Sequence, residues 1–430
     1  MTKHEWPESF LAHVWSEQRL RSPLVARSGK IVQVHFAGHH NTMAGPDFRF
    51  ALLDIDGQAV RGDVELHHRP GDWQAHRHHT DSGYNRVVLH CVFEGGKSDQ
   101  TTVREDGGRV DIVDLEPNLH EALSLMLRRW KRRKRPISDP RCSLVADWTP
   151  ARKRALLRQA GHERLERKVH RFGVELAFAD WDQLLYQGLF EALGYSANKL
   201  AMYDLAQAIP WRVVSEWKGI DASTLASVWM GAAGLLHHLP RKVPGALATR
   251  WRDAYVRQDY CRRQVYIEWR SFRQRAVNHP AVRLAQAATA LRPALGRSLF
   301  RRFLELFSLP VGKLTPERLR QSLATVFHCD DLPDGLRIGR DRLDAFAVNI
   351  LVPQALLYAR KQGYSELEEA VYSLWETYPR MATNQPLRRF EKLWAVRCKT
   401  ALEQQGALRL WRLYCNEHRC DVCDNHLVKE

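Results

Sequence analysis

The sequence predicts an α+β protein: a small N-terminal mixed α/β domain followed by a large all-α region. Three observations carry this. Up to about residue 120 the apolar side chains recur with the two-residue period of strands, broken by turn residues. From about Glu121 the period becomes helical and stays so to the end. Nine of the 20 histidines fall between His35 and His90, inside the strand-rich part, together with Asp47 and Glu65.

Taken in order, Phe10, Val14 and Leu20 place a short helix at the N-terminus, and Lys30 to Phe36 reads as a strand. Phe48 to Ile55 alternates, Asp56-Gly57 is a hairpin-type turn, and Val60 to His67 alternates again. Val60, Val64 and Leu66 share one face of that strand, so Arg61, Asp63, Glu65 and His67 share the other. Asp72 caps a helix through His79, Arg86 to Phe93 is another strand, and Asp99 to Asp114 supplies an edge hairpin around Gly107-Gly108. Further on, Trp181, Leu184, Leu185, Gly188, Leu189, Ala192 and Leu193 follow the helix pattern, with Gly194 as its stop. The expected organisation is therefore 1–120 as α/β domain, 121–145 as basic linker, 146–410 as helical domain and 411–430 as a cysteine knuckle.

With 430 residues, 44% of them hydrophobic and 14 tryptophans, the chain can bury a large core across two or three domains. No charged start leads into an apolar stretch at the N-terminus, and Ala347 to Ala359 is interrupted by Asn349, Pro353 and Gln354. The expectation is a cytoplasmic protein with no membrane partner. Lys and Arg number 65 against 49 acids, a net charge of +16, which favours a polyanionic partner such as nucleic acid.

Seven of the eight residues Arg128-Arg129-Trp130-Lys131-Arg132-Arg133-Lys134-Arg135 are basic. They can follow a phosphate backbone, with Trp130 for stacking. The plainer reading is a solvated interdomain connection.

The densest chemistry lies at Gly45-Pro46-Asp47-Phe48 and Asp63-Val64-Glu65-Leu66-His67. Three ionisable groups on one side of a strand have no use in a core, because burying each unpaired costs several kcal/mol. Asp47 and Glu65 can hold Mg²⁺ or Mn²⁺ through hard oxygens, with His67 orienting or deprotonating the attacking water. His76, His78 and Tyr84 are placed to contact substrate phosphate or a second metal, His90 can look toward the same site, and Glu8 or Glu5 can add an acid. A zinc site built from His67, His76, His78, His79 and His90 with one carboxylate is the competing chemistry, although no HExxH spacing occurs. In the structural alternative Asp47 caps a turn while the histidines pack, with His39, His40 and His68 as bystanders.

Eight cysteines without a secretory signal argue for metal binding or simple burial. Cys415, Cys420 and Cys423 form C-x4-C-x2-C at the C-terminal end. That spacing suits zinc with His418 or His426, and equally an iron–sulfur cluster with Cys142 as the distant fourth ligand.

Pro46-Asp47, the hairpin and Glu65-Leu66-His67 resemble the signature of the PD-(D/E)XK nucleases, a restriction-endonuclease-like sheet, with the acids 18 positions apart and histidine where those enzymes carry lysine. More extensively, Gly38-x-x-Asn41-x-x-x-Gly45-Pro46-Asp47-Phe48, Gly62-x-Val64-Glu65-x-His67 and Asp72-Trp73-x-x-His76-x-His78-x-x-Asp81-x-x-Tyr84 resemble the uncharacterised bacterial family called domain of unknown function 2851. The likeness continues through Glu191 to Lys199, Asn278-His279-Pro280 with Arg283, and the closing cysteines. It implies an architecture and a motif set, and no reaction. The residues themselves lead to the expectation of a metal-dependent phosphodiesterase or nuclease, against a non-catalytic nucleic-acid-binding protein or a zinc-dependent hydrolase of a small substrate.

Overall fold

A computed structural model describes residues 7–94, 100–133, 142–270, 275–308 and 313–427. Glu5, Lys134 and Arg135 lie outside the described residues, as does the side chain of His426. The chain is mixed α+β, and it divides into two compact units. The first comprises Met1–Ala160, Asn384–Arg397 and Gly406–Glu430; the second comprises Gly161–Thr383 and Cys398–Gln405. This differs from the linear division expected above, because the C-terminal stretches return to the strand-bearing unit.

That unit opens with α1 (Glu8–Ser16), whose apolar residues Phe10, Leu11, Val14 and Trp15 are fully buried. The strands are β1 (Leu24–Val25), β2 (Ile31–Phe36), β3 (His39–His40), β4 (Phe48–Ile55), β5 (Gln58–His67), β6 (Val87–Val92), β7 (Thr101–Val103) and β8 (Arg109–Asp114). They form one sheet in the order β1-β2-β4-β5-β6-β8-β7, with β3 paired to β4. Pairing is parallel at β5–β6 and β6–β8 and antiparallel elsewhere. Asp56 and Gly57 both take positive φ, 52° and 81°, as a two-residue hairpin turn between β4 and β5 requires. Gly62 is demanded by the neighbouring strand, since a Cβ there would lie 2.3 Å from Val88 Cγ1.

The two sheet faces are used differently, as alternation along β5 and β6 dictates. Phe48, Val64, Leu66, Leu89 and Cys91 pack with α1 into one core. The opposite face carries Glu65, His67 and His90, roofed by the connection from β5 to β6, whose Trp73 and Tyr84 pack on Val87 and Val110. Asp63 is withdrawn from that polar row by a bulge: the register shifts next to it, and its carboxylate accepts the N–H of Phe50, which itself has φ 57°.

The β5–β6 connection departs from the expected helix. Its helix α2 covers only Asp72–Ala75, Arg77 is left-handed at φ 61°, and single 3₁₀ turns follow at His78–Thr80 and Ser82–Tyr84. His76 and His79 are therefore not neighbours on a continuous helix. The expected basic linker is likewise a helix at its start, α3 (Leu123–Arg132).

The second unit is helical. Its core gathers Leu185, Phe190, Trp229, Leu284, Val348 and Trp375, among many others. Asp180 caps the helix Trp181–Leu193 by accepting from Gln183 N–H, and the helix stops at Gly194, as the pattern predicts. His279 caps the helix Pro280–Leu291 by accepting the Ala281 N–H, while Asn278 and Gln286 hold the buried Arg283 guanidinium. Arg283 thus belongs to the core.

Candidate metal centre

The site is assembled at the C-terminal end of β5, where the chain leaves the sheet and the two strands beside it diverge in direction. Asp47 enters β4 from a loop locked by Asn41, whose side-chain amide donates to Ala44 O and Pro46 O while its backbone N–H donates to Asp47 O. Asp47 N–H donates to Glu65 Oε2 at 3.0 Å, and Leu66 N–H donates to Asp47 Oδ2 at 3.0 Å. The two acids therefore adjoin across the β4–β5 pair.

Beside Glu65 stand His67 and His78, with His76 next to His67. Glu65 Oε1 lies 3.5 Å from His67 Nε2 and 3.4 Å from His78 Nε2, and His67 Nε2 lies 3.1 Å from His76 Nδ1. His67, His76 and His78 each bring one ligand atom to within 4.8 Å of the others. Bonds of about 2.1 Å to a common ion put tetrahedral ligand atoms about 3.4 Å apart and octahedral ones about 3.0 Å apart. The 3.1 and 3.4 Å spacings fall on that range and the 3.5 Å one just above it, while the three imidazole atoms as a set lie within 4.8 Å of one another.

His67 is also held from behind. Its Nδ1 is 2.9 Å from His90 Nε2, and His90 Nδ1 is 2.7 Å from Thr102 Oγ1. With His90 donating to Thr102 and His67 donating to His90, the lone pair on His67 Nε2 faces the site, as a metal-ligating imidazole requires. Thr102, on edge strand β7, has no motif around it that sequence reasoning could have used. Trp73 makes an edge contact with His67, and Tyr84 stacks on His78 with ring centroids 3.8 Å apart. Tyr84 is thereby a wall of the site, and it is buried.

Electrostatics point the same way. Burial, then the neighbouring Glu65, raises the Asp47 carboxyl to about 7, with Glu8 adding to the effect. Burial likewise raises Glu65 to about 8, reinforced by Glu8 and Asp63. Burial followed by the surrounding histidines pushes His67 down to about 2, and burial lowers His90 to about 3. His78 is lowered by burial despite nearby carboxylates. At neutral pH the imidazoles of His67 and His90 are uncharged, so the 3.5 Å contact between His67 and Glu65 is no ion pair. Neutral imidazoles beside disfavoured carboxylates are a donor set for a cation.

The remaining expected residues are placed as follows. His39 packs edge-on against Phe36, and His40 stacks on Phe48. His79 is exposed. In α3, Arg128, Lys131 and Arg132 face solvent, whereas Arg129 is buried in ion pairs with Glu121 and Asp421. Arg133 stacks on the Trp130 ring, and Trp130 packs against Phe10. Arg129 and Trp130 are thus committed to internal packing, leaving three of the expected basic residues on the described surface.

Fold and site define an α+β protein with a histidine–carboxylate cluster at the end of a mixed sheet. The chain belongs to the family described as Protein of unknown function (DUF2851), which matches residues 8–384. The match covers the hairpin, the histidines and Asn278 to Arg283, and it stops before the closing cysteines. No curated protein and no solved structure matches the chain. Among the described residues no helix is long and apolar enough to cross a membrane.

Proposed function

We propose that the protein is a metal-dependent phosphodiesterase acting on nucleic acid, with Glu65, His67, His76 and His78 as the ion's ligands and Asp47 beside them. The observation that carries this reading is the set of 3.1, 3.4 and 3.5 Å spacings among Glu65, His67, His76 and His78. Three imidazoles favour Zn²⁺ or Mn²⁺ over Mg²⁺. A bound ion would supply Lewis-acid stabilisation of a phosphoryl oxygen and a more acidic water.

The chain's own groups support the rest. Asp47, held by the Leu66 N–H and adjoining Glu65, adds a second carboxylate beside the ion. His90 and Thr102 fix the orientation of His67. A polyanionic substrate is favoured by the net charge of +16 and by exposed Arg128, Lys131 and Arg132.

The test is turnover of labelled single- and double-stranded DNA and RNA, and of bis(p-nitrophenyl) phosphate, by the full chain with Mg²⁺, Mn²⁺ or Zn²⁺. The expected result is metal-dependent hydrolysis that Glu65→Gln abolishes. Tight, salt-dependent nucleic-acid binding without hydrolysis under any metal would replace this reading with a binding protein. Hydrolysis of the small diester alone would restrict it to small phosphorylated substrates.

A further inference from the structure

A second constellation lies within the strand-bearing unit, in residues the hairpin site does not use. Cys142, Cys415, Cys420 and Cys423 line one cavity of ≈ 190 Å³ together with Ser143, Leu144, Leu393, Trp394, Tyr414 and His418. Three chain segments meet there, 142–144, 393–394 and 414–423. Cys142 is set by its own N–H donating to Leu393 O, and Lys153 Nζ holds the carbonyl of Trp394. The C-terminal thiols are set by the turn Cys415–Glu417, by His418 at φ 54°, and by the helix Cys420–Leu427. Arg129 to Asp421, Arg419 to Glu121 and Arg19 to Glu417 clamp this end in place.

We propose that Cys142, Cys415, Cys420 and Cys423 ligate an iron–sulfur cluster in this cavity. Number and chemistry come first: four thiolates are the usual ligand set of such clusters. The sulfurs influence one another electrostatically, Cys415 feeling Cys423, Cys142 and Cys420, and Cys423 feeling Cys142 and Cys420. Four thiols on packing duty would have no reason to converge on a void.

Spacing then separates a cluster from zinc. Thiolates around a single zinc ion at about 2.3 Å close to edges of about 3.8 Å. Among the described residues the set whose ligand atoms lie within 4.8 Å of one another is His67, His76 and His78, and the four cysteines lining this cavity form no such set. Sulfurs set wider than a single-ion site around one cavity suit a polyatomic group. The cavity walls suit one: Leu393 and Trp394 are buried on one side, while Cys420 is exposed and gives a way in. The Trp394 indole N–H acts on Cys415 in the direction that favours thiolate.

Burial raises Cys415 and Cys420 and brings Cys423 to about 12. Transfer of a preassembled cluster from a thiolate-ligated carrier breaks four Fe–S bonds to the carrier and forms four here, the cysteine protons pass to the released carrier thiolates, and no electron changes hands. The product ties Cys142, just after the basic helix region, to the C-terminal helix. The site would clip the chain's end onto the strand-bearing unit.

The experiment is anaerobic purification of the full chain from iron-supplied cells, with iron, acid-labile sulfide and zinc determined on the same sample. Sulfide separates this site from any iron held by the hairpin histidines, so the inference stands or falls independently of the hydrolytic reading. The expected result is iron and sulfide in equal amounts, with visible absorption bleached by dithionite. Cys142→Ser should lower both at least about tenfold, the scale of loss that even outer-shell changes produce. Cys261→Ser, outside the cavity, should retain them. If Cys142→Ser does not fold, Cys420→Ser at the exposed ligand provides the same comparison. Zinc without sulfide, no metal after anaerobic incubation with iron and sulfide, or full sulfide content in both ligand variants would overturn the assignment.

Discussion

Glu65→Gln is the substitution whose outcome differs most between a metal centre and a structural hairpin. In the metal-free protein the Glu65 carboxyl sits at about 8 against an ordinary 4.5. A raised acid pKa means the folded state binds the proton more tightly than the unfolded one, so this group's contribution to stability declines as pH rises from about 4.5 to about 8. At about 1.36 kcal/mol per unit, the full shift corresponds to roughly 5 kcal/mol and its expression at pH 8 to about 4, an upper bound for a carboxyl coupled to Asp47. Below about 6.5 the depressed histidines oppose this slope, because His67 and His90 bind protons only when unfolded. The clean window is pH 6.5 to 8. Glutamine carries no charge to bury and can still accept the Asp47 N–H. Glu65→Gln should therefore raise the melting temperature of the chelator-treated protein at pH 8, with a smaller gain at pH 6.5, while eliminating the stabilisation that Mn²⁺ or Zn²⁺ gives the parent. Calorimetry in chelator and in metal at both pH values reads all four numbers. A lower melting temperature at pH 8, with metal stabilising both proteins equally, would refute the argument.

Two further outcomes follow from the same geometry. His90→Phe and Thr102→Val remove the support behind His67 without touching the ligand atoms, and each should weaken Zn²⁺ binding about 10- to 100-fold with the fold retained, measured by competition with a chromogenic chelator; unchanged affinity would show that His67 needs no partner. Replacing Arg128, Lys131 and Arg132 together by glutamine should reduce the dependence of log K on log salt by about two to three for polynucleotide binding, whereas Arg129→Ala should leave that slope unchanged and lower stability by about 1.5–3 kcal/mol through its lost charged hydrogen bonds, Glu121 keeping Arg419 as partner. Salt-titrated binding and denaturant unfolding distinguish the two.

Much of this was legible in the sequence, and where it was not the reasons are physical. The strand period, the Asp56-Gly57 turn and the Gly194 stop are local signals, and the elements they mark are present. Asp47, Glu65, His67, His76 and His78 were all named from their spacing, yet the grouping differs. Spacing favours a pair of acids with a histidine in attendance; the fold gathers three imidazoles, two of them against Glu65, because Arg77 turns left-handed and brings His76 and His78 to the same side. No pattern announces a positive φ at an arginine. Tertiary partners were equally hidden: Arg129 looked like part of a phosphate-binding row until Asp421, nearly 300 residues on, claimed it. Thr102 and the bulge that withdraws Asp63 depend on strand register, which a single chain does not display.

The protonation states of the hairpin site explain why so many ionisable groups are tolerated beside a core. Without an ion, Asp47 and Glu65 favour keeping their protons and the inner imidazoles favour having none, so the site approaches neutrality. With a divalent ion, two carboxylates balance its charge and the site is neutral again. The buried region can exchange two protons for one cation with no change in net charge, avoiding the large penalty for burying an uncompensated charge in either state. A hairpin whose only task was packing would need neither the second acid nor the third imidazole, and Leu66 and Val64 on the other face already supply its core contacts.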